Sequence, residues 1–257
     1  MIALADLLAL ASGALVGLVL ALIGGGGSIL ATPALLYVVG VADAHLAIGT
    51  SALAVSANAF ANVAAHARRG NVVWRAALVF AVAGMIGAGL GAALGKATDA
   101  SVLLPLFALV MIAVGAAMLI PRKNDGAGDV HLTPSVNARL GAAGLGVGGL
   151  SGFFGIGGGF LIVPGLIAAS GMSMIQAVGT SLVSVGAFGA TTAASYAFDG
   201  LVDWRIAGLF IGGGIVGGLI GARFATHLSK QRGALQRVFA GVVFVVAAYM
   251  LWRNRPF

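Results

Sequence analysis

The stretch "ALIGGGGSILATPALL" (21–36) decides how this chain is read. Gly24, Gly25, Gly26 and Gly27, followed by Ser28, interrupt an otherwise apolar run. A glycine inside a helix costs about 1 kcal/mol relative to alanine. Four in a row mark a place where the backbone must turn, or where something must approach it closely.

The solvent around that break follows from composition. The chain has 257 residues, 60% hydrophobic and 8% charged; a soluble domain carries about 25% charged residues. Mean hydropathy is +1.08. Such a chain cannot cover a water-facing surface, so an integral membrane protein is expected. Its apolar runs are long, as membrane helices require, and lack the short alternating strands of a barrel. Residues 1–24 have no basic start and lead straight into the glycines, so they read as a first membrane segment rather than a cleaved signal. There is no cysteine, which removes disulfides and thiolate metal sites. The +7 net charge fits cytoplasmic loops of a membrane protein better than nucleic-acid binding, because no basic cluster carries interleaved aromatics.

The break recurs. "GGGGSILATP" (24–33) returns as "GIGGGFLIVP" (155–164), which brings in Gly155, Gly157, Gly158 and Gly159. "AIGTS" (47–51) returns as "AVGTS" (177–181), and "GNVVWR" (70–75) as "GLVDWR" (200–205). After a single-residue gap the offset is a constant 130. The expected organisation is a first transmembrane repeat at 1–120, a cytoplasmic linker at 121–138 and a second repeat at 139–257. Apolar segments run near 3–23, 27–39, 45–65, 72–95 and 101–120, then 140–153, 158–170, 174–197, 204–226 and 234–252. The first two segments of each half are short and start and finish on one side, whether they cross fully or dip in and return. Three crossings follow, an odd net number, so the second repeat is inverted. With both termini outside, Arg68, Arg69, Arg75, Arg122, Lys123, Arg139, Arg223, Lys230, Arg232 and Arg237 lie inside, as the positive-inside rule asks. Lys96, Arg205, Arg253 and Arg255 then lie outside. The fold class is an all-α integral membrane bundle of about eight to ten transmembrane or re-entrant helices, built as an inverted repeat with glycine-broken helices near the midplane.

Two readings compete for the glycines. Gly87, Gly91 and Gly95, with Gly213, Gly217 and Gly221, recur every four residues on single helices, the pattern of close packing. The doubled clusters read instead as a ligand site. Helices that start inside the membrane present free N–H groups and a positive dipole end, which suits an anion. A polar stripe on the third segment, Thr50, Asn58, Asn62 and His66, has counterparts Thr180, Phe188, Thr192 and Tyr196, with Ser184 matching Ala54. Interhelical hydrogen bonding and cavity lining are both open for it. His66 reads as interfacial or gating. Thr50, Ser51, Asn58, Asn62, Thr180, Ser181 and Ser184 join the glycines and Ser28 as candidate substrate contacts.

There is no Glu, and all seven Asp fall near segment ends, so no mid-membrane carboxylate binds a cation. His45, His66, His131 and His227 lack metal-ligand spacing, and no nucleophile–base pair is visible. Neither an enzyme nor a cofactor is expected.

The paired glycine clusters, each followed by GTS and then a Gly–Val–Trp stretch, resemble the TauE/SafE family, or TSUP, over nearly the whole chain. The resemblance implies a permease for small sulfur-containing oxyanions or organosulfonates in the bacterial inner membrane. Ser28, where the second cluster has glycine, and Phe188, opposite Asn58, break strict symmetry. The expected function is secondary transport of a small anion by rocking one repeat against the other. The alternatives are a passive anion channel, a permease for small organic carboxylates, or a structural subunit of a larger complex. Expected partners are the lipid bilayer and the anion. A coupling ion, proton or sodium, stays open, as do oligomeric state and transport direction.

Overall fold

The computed structural model describes residues 4–23, 25–119, 132–155, 159–228 and 232–254. Those residues form ten helices and no strand. The chain starts with α1 (Leu4–Ile23) and then enters the broken segment. That segment is a 3₁₀ turn (Gly25–Leu30), one α turn, α2 (Ala31–Pro33), and a π turn (Ala34–Val39). Gly40, at φ 88°, ends it. Next come α3 (Ala44–Arg68), α4 (Trp74–Lys96) and α5 (Ala100–Leu119). The second half repeats the order with α6 (Pro134–Phe154), α7 (Gly159–Ser170), α8 (Met174–Phe198), α9 (Trp204–Leu228) and α10 (Arg232–Arg253).

Among the described residues, six stretches are long and apolar enough to cross a bilayer: Leu4–Leu22, Ala44–Arg68, Trp74–Lys96, Ala100–Ala117, Met174–Phe198 and Trp204–Gly221. The 3₁₀-to-π run and α7 are shorter, as their split segments require. One boundary differs from the sequence reading. α6 starts at Pro134, inside the polar segment assigned to the linker 121–138. Thr133 accepts the Val136 N–H as its cap, and Pro134 suits a first helical position because no partner is needed for its nitrogen.

The glycines fix which helices meet. Along α1 and α9, Gly13 stands on Phe210 and Gly17 on Gly214, while Gly213, Gly217 and Gly221 stand on Leu10, Ala14 and Leu18. The contacts climb in the same order, so the two helices run parallel. Along α6 and α4, Gly144, Gly148 and Gly152 stand on Phe80, Gly84 and Ala88, and Gly87, Gly91 and Gly95 on Leu145, Gly149 and Phe153. At each of these positions a Cβ would meet the partner's backbone. Backbones can approach this closely in lipid only where side chains are absent.

Both tight pairs join one half of the chain to the other. Each half lends its fourth helix to the partner's first helix. The packing units are therefore mixed: α1, the broken segment, α3 and α9 form one bundle, and α6, α7, α8 and α4 the other. α5 and α10 pair with each other beside them. These bundles cut across the repeats read at 1–120 and 139–257. Glycine spacing identifies a packing face but not the helix that fills it.

The bundles meet where α3 crosses α8. Gly49 lies against Tyr196 near one end, and Ser56 donates to the Gly186 carbonyl at 2.7 Å in the middle. The contacts run in opposite order, so α3 and α8 are antiparallel although they are sequence equivalents.

Candidate functional site

The broken segments meet beside this crossing. The 3₁₀ turn packs on both α1 and α7. Gly159, buried, opens α7. Gly25, Gly26, Gly27 and Ser28 lie in the 3₁₀ turn, and Gly27 and Ser28 are buried. The leading N–H groups of such a turn, and of α7, have no partner within their own helices. Gly24, Gly157 and Gly158 lie outside the described residues.

Two of the candidate glycines serve the backbone. A Cβ on Gly27 would stand 2.6 Å from the Leu20 nitrogen of α1. Gly155 closes α6 in the left-handed region, at φ 66°, and a Cβ there would run into Ile48. Close packing and turn geometry account for both.

Thr50 and Thr180 do not converge on one ligand. Thr50 accepts the Asp203 N–H at 2.9 Å, and Thr180 accepts the Val73 N–H at 3.0 Å. Gly49 and Gly179, one residue earlier, leave room for the carbonyls of Leu201 and Asn71. Each GTS motif thus grips the Gly–Val–Trp motif of the other half, and this contact explains why both are doubled. Thr50 lies six residues before Ser56, and Thr180 six before Gly186. On antiparallel helices that separates them by about 18 Å along the bundle. Their neighbours are also engaged. Ser51 donates to Ile48 O at 2.9 Å and meets the Thr32 hydroxyl at 2.8 Å. Ser181 donates to Val178 O at 2.8 Å. Thr50, Ser51, Thr180 and Ser181 thus make hydrogen bonds within their own bundles.

The asparagines belong to the seam between α3 and α9. Asn62 donates to the Asn58 carbonyl at 2.8 Å and lies by Gly218. Asn58 fills the notch at Gly214, as its counterpart Phe188 fills the notch at Gly84 while stacking on Phe80 at 6.0 Å. Asn58 is fully buried, and neither end of its amide has a partner among the described residues. Of the two readings open for the asparagines, their place against Gly214 and Gly218 follows interhelical packing at this seam.

Among the described residues Ser184 is fully buried without a hydrogen-bond partner. So is Ser151, on the last turn of α6, whose carbonyl takes the Gly155 N–H. A buried polar group left unpaired costs about 1–3 kcal/mol, so each has capacity for a ligand. The sequence reading missed Ser151. Its only signal is a lone hydroxyl one turn before a glycine cluster. Thr32 was missed too, hidden beside Pro33.

Charges stay at the ends. Asp43 caps α3 through the Leu46 N–H, Asp203 caps α9 through the Ile206 N–H, and Asp6 pairs with Arg205. Lys96, atop α4, reaches Asp199 and the Ser195 carbonyl at the end of α8. No cluster of metal-ligating side chains occurs among the described residues.

A membrane bundle with two broken segments meeting at an internal twofold follows the plan of secondary transporters. The profile of the sulfite exporter TauE/SafE family matches residues 9–250. A "Probable membrane transporter protein" of Xylella fastidiosa (strain 9a5c) is 52% identical over 95% of this chain and 94% of its own. The "Probable membrane transporter protein YunE" of Bacillus subtilis is 26% identical over 94% and 96%. A protein of the same description from Haemophilus influenzae is 31% identical over 68% and 67%. No solved structure matches the chain. The chain belongs to the sulfite exporter TauE/SafE family; it is an integral membrane transporter and not an enzyme.

Proposed function

We propose that the protein carries a small sulfur oxyanion or organosulfonate across the bacterial inner membrane by alternating access. The observation that carries this reading is the meeting of the 3₁₀ turn with α7 beside the α3–α8 crossing. Backbone N–H groups of Gly25 and Gly26, and of the α7 start at Gly159, hold the oxygens, and Ser151 and Ser184 donate from the flanks. Anions suit such a site because its donors are uncharged dipoles already fixed in place. The family name supports the sulfur oxyanion.

In this reading the moving bodies are the mixed bundles rather than residues 1–120 and 139–257 as units. Rocking the sequence halves would separate α1 from α9 and α4 from α6, where backbones touch. Rocking the bundles leaves those seams intact and works only the α3–α8 crossing and the junction of the broken segments. The antiparallel course of α3 and α8 supports an inverted second repeat. The linker 121–138 and Arg68–Arg69 are then cytoplasmic and loop 198–203 periplasmic.

Proteoliposomes test the substrate class. Sulfite, thiosulfate or a sulfonate should be taken up, and sulfate and acetate should compete weakly. Saturable uptake of carboxylates alone would move the assignment to the organic-acid reading. Unsaturable flux of every small anion would make the protein a channel.

A further inference from the structure

The outer flank of α1 and α9 carries a groove of about 700 Å³, lined by Asp6, Leu7, Leu10, Trp204, Arg205 and Leu209, with Gly208 between them. It lies at the first turns of both helices, hence at the end of a membrane crossing, where lipid head groups begin. Arg205 donates to Asp6 at 2.6 Å. The Asp6 side chain is only 10% exposed and that of Arg205 70%. The carboxylate therefore anchors one guanidinium nitrogen, and the rest of the largely exposed Arg205 side chain lines the groove. A guanidinium fork matches phosphate oxygens. Below it, Leu7 and Leu10 expose an apolar wall. Gly208 has open space where a Cβ would stand.

The other half of the chain supplies an internal comparison. Trp74 and Arg75 repeat Trp204 and Arg205, yet Leu78 replaces Gly208, Ala138 and Gly141 replace Leu7 and Leu10, and Asn137 replaces Asp6. Asp6, Leu7, Leu10 and Gly208 of the groove thus have no identical residue at the equivalent positions of the other half.

We propose that this groove holds one glycerophospholipid, with its phosphate on Arg205 and an acyl chain along Leu7, Leu10 and Leu209. A cation at head-group level above a lengthwise apolar wall matches both parts of that molecule. A soluble anion would use only the cation.

Native mass spectrometry of the detergent-purified chain tests this. The probes are palmitoyl-oleoyl phosphatidylethanolamine and the diacylglycerol with the same chains. One phospholipid should bind the parent chain, and the diacylglycerol about tenfold more weakly, reflecting the charge-assisted phosphate contact. Gly208→Leu copies Leu78 and leaves the ion pair intact; it should lower phospholipid occupancy about tenfold, as should Arg205→Gln, while Arg75→Gln leaves it unchanged. Melting curves on each variant separate loss of lipid from loss of fold, and Gly208→Leu decides the matter if Arg205→Gln unfolds. Four outcomes overturn the proposal: unchanged occupancy in folded Gly208→Leu, equal binding of the diacylglycerol, displacement of the lipid by millimolar inorganic phosphate, or a chain dimer that Gly208→Leu abolishes.

Discussion

Ser56 and Gly186 are sequence equivalents 130 positions apart, and the Ser56 hydroxyl donates to the Gly186 carbonyl at 2.7 Å. Equivalent residues touch only where the symmetry axis passes. That hydrogen bond marks the axis, at the midpoints of α3 and α8, and separates residues able to face a shared ligand from those that cannot.

Ser56→Ala removes the bond and should cost about 1 kcal/mol of stability, the net value of one buried hydrogen bond. Gly186→Leu should do more. A Cβ there already stands 2.7 Å from the Phe60 ring, so the crossing must open. Detergent melting curves should rank the two in that order.

Thr50→Val and Thr180→Val each strand a backbone N–H, at Asp203 and Val73. Each should lose about 1–3 kcal/mol of stability. Substrate affinity should hold, because in the proposed site the backbone donors near the broken segments, and not these hydroxyls, meet the ligand. A large loss of binding with unchanged melting would return them to the ligand.

Asn58→Leu tests the seam. Removing an unpaired amide from an apolar notch should leave stability equal or higher, since no hydrogen bond is lost. Melting and uptake on one preparation are the readout. Lost transport with a retained fold would show that the amide takes a partner during the cycle.

Topology follows from the antiparallel crossing. In the cysteine-free chain, Asp199→Cys should react with a membrane-impermeant maleimide in intact cells and Asn71→Cys should not. Equal labelling of both would contradict an inverted second repeat.

The sequence disclosed much of this fold, because lipid allows few ways to break a helix and the break is written twice. It disclosed the packing glycines of α4 and α9, whose spacing is regular. It did not disclose the exchange of those helices between halves. Gly13 and Gly17, and Gly144 and Gly148, are as regular, but spacing does not say which face meets which. The site was less legible. A constant offset pairs Thr50 with Thr180 but is silent on whether the pair converges; in an antiparallel crossing, only residues near the midpoint do. The partners of both threonines are backbone N–H groups, which leave no trace in residue identity.

The bundle exchange admits one decisive measurement. Ala21→Cys with Gly221→Cys links α1 to α9 within one bundle yet across the sequence halves; a Cβ on Gly221 would stand 2.9 Å from that of Ala21. His45→Cys with Tyr196→Cys, joined by a short bifunctional thiol reagent, links α3 to α8 between bundles, where the two rings lie 6.4 Å apart. Sulfite uptake into proteoliposomes is then compared before and after cross-linking, with reduction as the control. The account predicts that the α1–α9 link leaves uptake intact and that the α3–α8 link abolishes it reversibly. Uptake abolished by the α1–α9 link and preserved by the α3–α8 link would contradict it.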